Sequence, residues 1–300
     1  MRPSPVLIWL AMLPLSACGS SPQQSTTPQD SIMQLNARAG EQALTLERSE
    51  AAIAEYRRAF ERALARDDAA AIGDYGYDLA VAQLVANQPR EALASIRMTR
   101  IELARRSAWS FPALDLAEAT AEYRLGERDK SDRLAIEIAT GSDMATANHA
   151  IFLRGLIADE KGDAAGLNEA IVALGQPTAA DQQADAAELS ARRDIRQGRF
   201  EAAIAEAERS IDLRRDALDY RGMARALAVA GDAEARAGDR QEAAAFYMRA
   251  GQSAAALGDA ESAHRWLGRS MSLGSDPGLR DEARIALTRL TRPASHRIGQ

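Results

Sequence analysis

The side chains of this sequence that could do chemistry are scattered, and their spacing assembles no recognisable reaction centre. Three histidines, His149, His264 and His296, stand far apart. Metal and general-base sites draw on histidines and carboxylates at short fixed spacings, and no HExxH, GxSxG or phosphate-loop pattern occurs. The Gly-Asp turns lack the alternating Asp/Asn ligands and the terminal Glu of a calcium loop. The Asp67-Asp68 pair reads as helix N-terminal charge. Two features carry more. Arg192 and Arg196 are four apart, so on a helix they share a face and could hold a carboxylate between them. The single cysteine, Cys18, ends the sequence Leu15-Ser16-Ala17-Cys18, behind Arg2 and an apolar run from Val6 to Leu15. One cysteine cannot make an internal disulfide. The sequence therefore predicts a protein that is not an enzyme and needs no metal or cofactor.

A positive start, a ten-residue apolar core and small residues before a cut are the parts of an export signal. Ten apolar residues are too few for a membrane span, which needs about 20. Leu15-Ser16-Ala17-Cys18 resembles the lipobox of bacterial lipoproteins. The resemblance implies that residues 1–17 are removed and that the Cys18 thiol carries lipid, with fatty acid such as palmitate anchoring the chain to a membrane. Gly19 follows the cysteine rather than Asp, which by resemblance to enterobacterial sorting implies the periplasmic face of the outer membrane. Residues 18–30 are rich in Ser, Gln, Thr and Pro and predict a flexible tether.

The elements that follow are helical by composition. Of the 300 residues, 46% are hydrophobic but only 5% aromatic, and alanine supplies much of the apolar share. Alanine is the best helix former, and the 10 prolines gather partly in the leader and tether. The net charge of −6 argues against a nucleic-acid partner. Turn signals recur at Asn87, Gly126, Gly162, Gly198 and Gly238, spaced by 39, 36, 36 and 40 residues, with Gly258 a half-period later. Gly or Asn ends a helix by taking the left-handed conformation. Seven residues before these anchors stand Ala80, Ala119, Gly155, Ala191, Gly231 and Gly251. Five residues after them stand Ala92, Ser131, Leu167, Ala203, Ala243 and Ala263. Small residues at those phases let antiparallel helices approach closely. Periods of this length mark helical solenoids.

Over residues 68–273 this pattern resembles the tetratricopeptide repeat, best at Gly198-Arg199-Phe200-Glu201-Ala202-Ala203-Ile204. The resemblance implies an all-α, right-handed α-solenoid of antiparallel helix pairs with N- and C-terminal capping helices. The pairs fall at 68–86 and 90–107, 112–125 and 129–140, 143–161 and 164–174, 179–197 and 200–214, and 216–237 and 240–257, with a further helix at 260–273. The organisation expected is a signal at 1–17, a tether at 18–30, capping helices at 31–66, repeats at 67–273, a capping helix within 274–291 and a loose tail at 292–300. The large aromatic usual in the first helix of each repeat is replaced by Gly76, Asp115, Ile151, Ala187 and Leu227.

In this family the first helices line a concave wall that binds extended peptides. The family's inward-facing phases map to Tyr77, Leu84, Tyr123, His149, Phe152, Asp159, Arg192 and Arg196. The aromatics read either as anchors for a partner or as inter-helix core, and the arginines either as a carboxylate clamp or as solvated charge. The expectation is a lipid-anchored scaffold or adaptor for envelope proteins, such as pilus, secretion or peptidoglycan machinery; the alternatives are a structural assembly factor that oligomerises and, last, an enzyme or small-ligand receptor with a site hidden in the groove.

Overall fold

The computed structural model describes residues 30–108 and 111–291. The leader, Cys18, Gly19, the tether up to Gln29, Trp109 and the tail 292–300 with His296 lie outside the described residues. Among the described residues fourteen helices follow one another: α1 (Ser31–Thr45), α2 (Ser49–Ala65), α3 (Ala69–Val85), α4 (Pro89–Arg105), α5 (Pro112–Arg124), α6 (Arg128–Ala139) and α7 (Met144–Lys161); then α8 (Ala164–Leu174), α9 (Ala180–Arg196), α10 (Phe200–Asp216), α11 (Tyr220–Ala237), α12 (Arg240–Ala256), α13 (Ala260–Leu273) and α14 (Pro277–Thr291). From α2 onward each helix packs on the next. The alternate helices α3, α5, α7, α9 and α11 also touch in turn. This is an all-α solenoid in which helices meet their sequence neighbours and one set forms a continuous wall.

The turns explain the regularity. Most junctions hold one residue in the left-handed region: Glu47, Asp67, Asn87, Ser107, Gly126, Gly162, Gly198, Leu218, Gly238 and Gly258. At Glu47 the pattern is complete: its N–H donates to the Leu44 carbonyl, and the Arg48 N–H to the Ala43 carbonyl. That double bond is the Schellman closure of a helix C-terminus. It recurs at Asp67, Asn87, Ser107, Gly126, Gly162, Gly198, Leu218 and Gly258. The next residue then starts the following helix. Asp68, Asp163, Asp219, Asp239 and Asp259 each accept a hydrogen bond from a first-turn backbone N–H, satisfying donors that the helix leaves unpaired.

The true beat is thus about 20 residues per helix, with two helices per repeat. Turns at Glu47, Asp67, Ser107 and Leu218 carry no glycine or asparagine; the expected spans still break at 67 and 107, but not at Glu47 or Leu218. The largest consequence is at α10 and α11. The sequence places a boundary near 215, whereas α10 runs to Asp216 and α11 begins at Tyr220, around the turn at Leu218. The pairing also begins earlier than the 67–273 span: α1 and α2 close on each other through Gly40, where a Cβ would come within 2.9 Å of the Tyr56 ring. The closing helix, Pro277–Thr291, lies inside the expected 274–291 span.

The small residues sit where helices touch. Ala80, Ala92, Ala119, Ala191, Ala203, Ala243 and Ala263 are fully buried. A Cβ on Gly251 would lie 2.6 Å from Cγ of Leu267, and one on Gly155 would collide with Leu189. Ser131, also fully buried, donates its hydroxyl to the Ala119 carbonyl at 2.8 Å. Ser210 and Ser270 do the same to Ala184 and Ala244. Gly76 shows why one repeat lacks its large aromatic, since even a Cβ there would overlap the side chain of Thr99.

Candidate functional site

The wall of α5, α7, α9 and α11 carries a connected set of charged and aromatic side chains. At its centre Glu188 of α9 has no exposed side-chain surface. Its carboxylate accepts from Arg192 at 2.9 Å, from Arg214 at 3.0 Å and from Arg225 at 2.8 Å. Burial would raise this carboxyl, but the guanidiniums of Arg225, Arg192 and Arg214 outweigh it and hold the group far below the usual carboxylate range. Arg192 also reaches Asp159 of α7 at 2.9 Å, and Arg196 holds the same carboxylate at 2.5 Å. Burial alone would lower the Arg192 pKa; Glu188 and Asp159 raise it instead.

A second layer lies beside the first. Arg214 spans α10 to α9 through Asp185 at 2.7 Å and reaches Asp219 at 2.5 Å. His149 stands between Asp185 at 3.3 Å and Asp181 at 3.4 Å, and its pKa is raised, first by the bond to Asp185, against burial. Arg214 and Arg225 both lie over the Phe152 ring, at 5.7 and 5.1 Å from its centroid. Tyr123 donates to Glu160 at 2.5 Å, and Arg128 sits over the Tyr123 ring while also pairing with Glu160. Burial, then the bond to Glu160, pushes the Tyr123 hydroxyl pKa well up.

Six of the eight residues singled out in the sequence therefore lie along this one wall, Tyr123, His149, Phe152, Asp159, Arg192 and Arg196, but Phe152 is buried in the inter-helix core rather than presented to a partner. Arg192 and Arg196 do grip a carboxylate, and it is the chain's own Asp159. The other two pack elsewhere. Leu84 is buried among Ala80, Ala92, Ile96 and Leu114. Tyr77 is half-buried, edge-on to Phe111 with ring centroids 5.9 Å apart. The sequence reading did not find Glu188, Asp185, Arg214 or Arg225. Glu188 had a signal in its four-residue spacing from Arg192. Arg214 had none, because it reaches the groove from an outer helix.

The wall curves back on itself. Arg124, the last residue of α5, donates to the Leu84 carbonyl at the end of α3, and Arg221 of α11 donates to the adjacent Val85 carbonyl. Arg124 keeps contact with water, yet the surrounding protein and then the Arg221 charge lower its pKa to about 10. Further toward the N-terminus, α3 carries a different charge pattern. Burial, then Asp74 and Glu41, pushes the Asp78 carboxyl up to about 6. The groove is thus acidic on α3 and rich in arginine from α5 to α11. Among the described residues no group of three or more His, Cys, Asp or Glu side chains is arranged to hold a metal ion, and no helix is long and apolar enough to cross a membrane.

No family model matches the chain, and no curated protein does. Similar solved structures include a tetratricopeptide repeat protein from Parabacteroides merdae, at 15% identity over 86% of this chain and 100% of that one, with a TM-score of 0.47. BtubC from P. vanneervenii is 17% identical over 76% and 93%, with a TM-score of 0.44. The TPR2AB domain of yeast Sti1, solved in complex with an HSP90 peptide, is 16% identical over 87% and 97%, with a TM-score of 0.34. No residue role or activity transfers at these values.

Proposed function

We propose that this chain is a non-catalytic scaffold that binds segments of partner proteins along its groove and is held at the cell envelope by lipid on Cys18. The observation that carries the groove reading is the convergence of Tyr123, Asp159, Arg192, Arg196 and Arg225 from four helices onto one surface. Those helices hold the side chains by packed backbone, so the surface is preorganised. Its arginines are satisfied by the chain's own carboxylates, so a partner gains affinity by exchanging with them. An acidic segment can take Arg196 from Asp159, because Arg196 is 34% exposed while Asp159 keeps Arg192. The half-buried Tyr123 offers packing for an apolar side chain between such charges.

The lipobox-like sequence around Cys18 supports the envelope reading, with the outer membrane suggested by Gly19. Confinement to a membrane raises the effective concentration of the groove for envelope partners such as secretion, pilus or peptidoglycan machinery. Two readouts test this function. Cys18→Ser should abolish acyl labelling and release the full-length chain from the membrane fraction; continued labelling refutes the anchor. Arg192→Glu combined with Tyr123→Ala should weaken capture of a defined envelope partner by the lipidated protein. Equal capture refutes the groove.

A further inference from the structure

The two ends of the curved wall meet through side chains rather than through packed helices. Arg221 donates to the carbonyl of Val85, 136 residues earlier, and at 3.0 Å to the carbonyl of Leu257, just after α12. Val85 ends α3, so its carbonyl has no acceptor role within the helix. A guanidinium between two helix C-termini is favoured by both dipoles. Beside these bonds lies a cavity of about 230 Å³, with Leu44, Glu47 and Ser49 on one side and Leu218 and Tyr220 on the other. The helices α2–α4 and α10–α13 pack extensively on sequence neighbours and on alternate neighbours, and none of these extensive contacts crosses this seam. A contact made of a few hydrogen bonds around a cavity is weak beside the packed interfaces that flank it.

We propose that Arg221 is the latch of a groove that opens and closes. In the closed form its two bonds join α3 to the end of α12 and narrow access to the arginine-rich surface. In the open form the seam parts, and an extended segment can lie along Tyr123, Arg192 and Arg196. The motion is a hinge between packed arrays of helices, which the short turns permit without loss of helix. The consequence for partner access rests on the groove being the binding surface; the latch itself does not. Arg124 gives an internal comparison. It caps the same end of α3 through the neighbouring Leu84 carbonyl, but from α5, which already packs on α3. Its loss removes a cap without crossing the seam.

The experiment measures the seam directly. Spin labels at Leu46→Cys and Ala217→Cys are placed in full-length protein carrying Cys18→Ser, which leaves only the two introduced thiols. Both sites are exposed and flank the cavity. Electron–electron distance measurement should give a dominant short distance. Arg221→Ala should raise the open-to-closed ratio about tenfold or more, as loss of a charge-assisted hydrogen bond implies. Arg124→Ala should not raise the open-to-closed ratio, since it removes a like charge beside Arg221 and leaves both Arg221 bonds in place. Arg221→Lys, which keeps the charge but can bond only one carbonyl well, should fall between, and it decides the matter if Arg221→Ala loses helical circular dichroism. Unchanged distances in helical Arg221 variants, or equal opening in Arg124→Ala, overturn the latch. Opening without any partner binding in the groove would leave the latch standing and refute the binding role.

Discussion

Replacing Glu188 by glutamine removes the negative charge that three arginines share. The cost follows from what each arginine has left. Arg192 keeps Asp159, and Arg214 keeps Asp185 and Asp219. Arg225 has no second carboxylate bond and retains the Phe152 face and partial contact with water, at 31% exposure. Breaking a fully buried pair costs about 3–5 kcal/mol; with two of the three cations still paired, about 3 kcal/mol is expected here. For a chain of this size that corresponds to a fall of roughly 6 °C in the unfolding midpoint. Hydrogen exchange should localise the loss to α9 and α11, because repeat arrays need not unfold as one unit. Asp212→Asn is the control, as its pair with Arg215 is exposed on both sides and is worth less than about 0.5 kcal/mol. The pH dependence has a definite sign. The folded pKa of Glu188 is depressed, so its contribution is present above the unfolded value of about 4.3 and is lost as pH falls below it. Glu188→Gln should remove that part of the acid sensitivity. If Glu188→Gln is no more destabilised than Asp212→Asn, the buried network does not hold the groove.

Three further changes probe other parts of the fold. Asp78→Asn should stabilise the protein by about 1–3 kcal/mol at pH 7 and have little effect at pH 4 in urea titrations, because the unfolded carboxyl ionises near about 3.9 while the folded one holds its proton up to about 6, so the penalty on folding builds between those values. His149 has the opposite linkage. Its raised pKa means that its contribution is complete below the unfolded value of about 6.5 and disappears as pH rises through the folded value. His149→Asn should therefore flatten stability between pH 6 and 8. Leu218 is the left-handed residue of its turn and is exposed. Leu218→Gly should stabilise by about 0.5–1 kcal/mol, read from the denaturation midpoint, since glycine relieves the left-handed strain at some cost in chain entropy.

How much of this was legible in the sequence depended on which residues carry each feature. The helix pairs from Asn87 to Gly258 could be read because their turns use Asn or Gly and their crossing points use Ala, Gly or Ser. The turns at Asp67 and Ser107 fell where the expected spans break, but those at Glu47 and Leu218 could not be placed, because hydrogen bonds to the preceding helix impose the left-handed conformation on residues with little preference for it. The groove was legible where it comes from the inner helices, as at Tyr123, Phe152, Asp159 and Arg192. Arg214 escaped because it projects from α10, and its partners lie 26 and 29 residues away. The return of α11 to α3 was invisible, since a bond from Arg221 to a backbone carbonyl 136 residues earlier leaves no side-chain signature. Tyr77 and Leu84 show the reverse case, in which an inward phase is consumed by packing against Phe111 and Leu114.

The most direct measurement is photo-crosslinking in the cells that make the protein, with a photoreactive amino acid placed on the groove at Arg196 or on the exposed position Val172 of α8. Binding along the groove predicts a discrete adduct from position 196 that disappears when Tyr123→Ala is added, and none from position 172. Adducts from position 172 alone, or from 196 but unaffected by Tyr123→Ala, would contradict the proposal that the chain binds a partner along the groove.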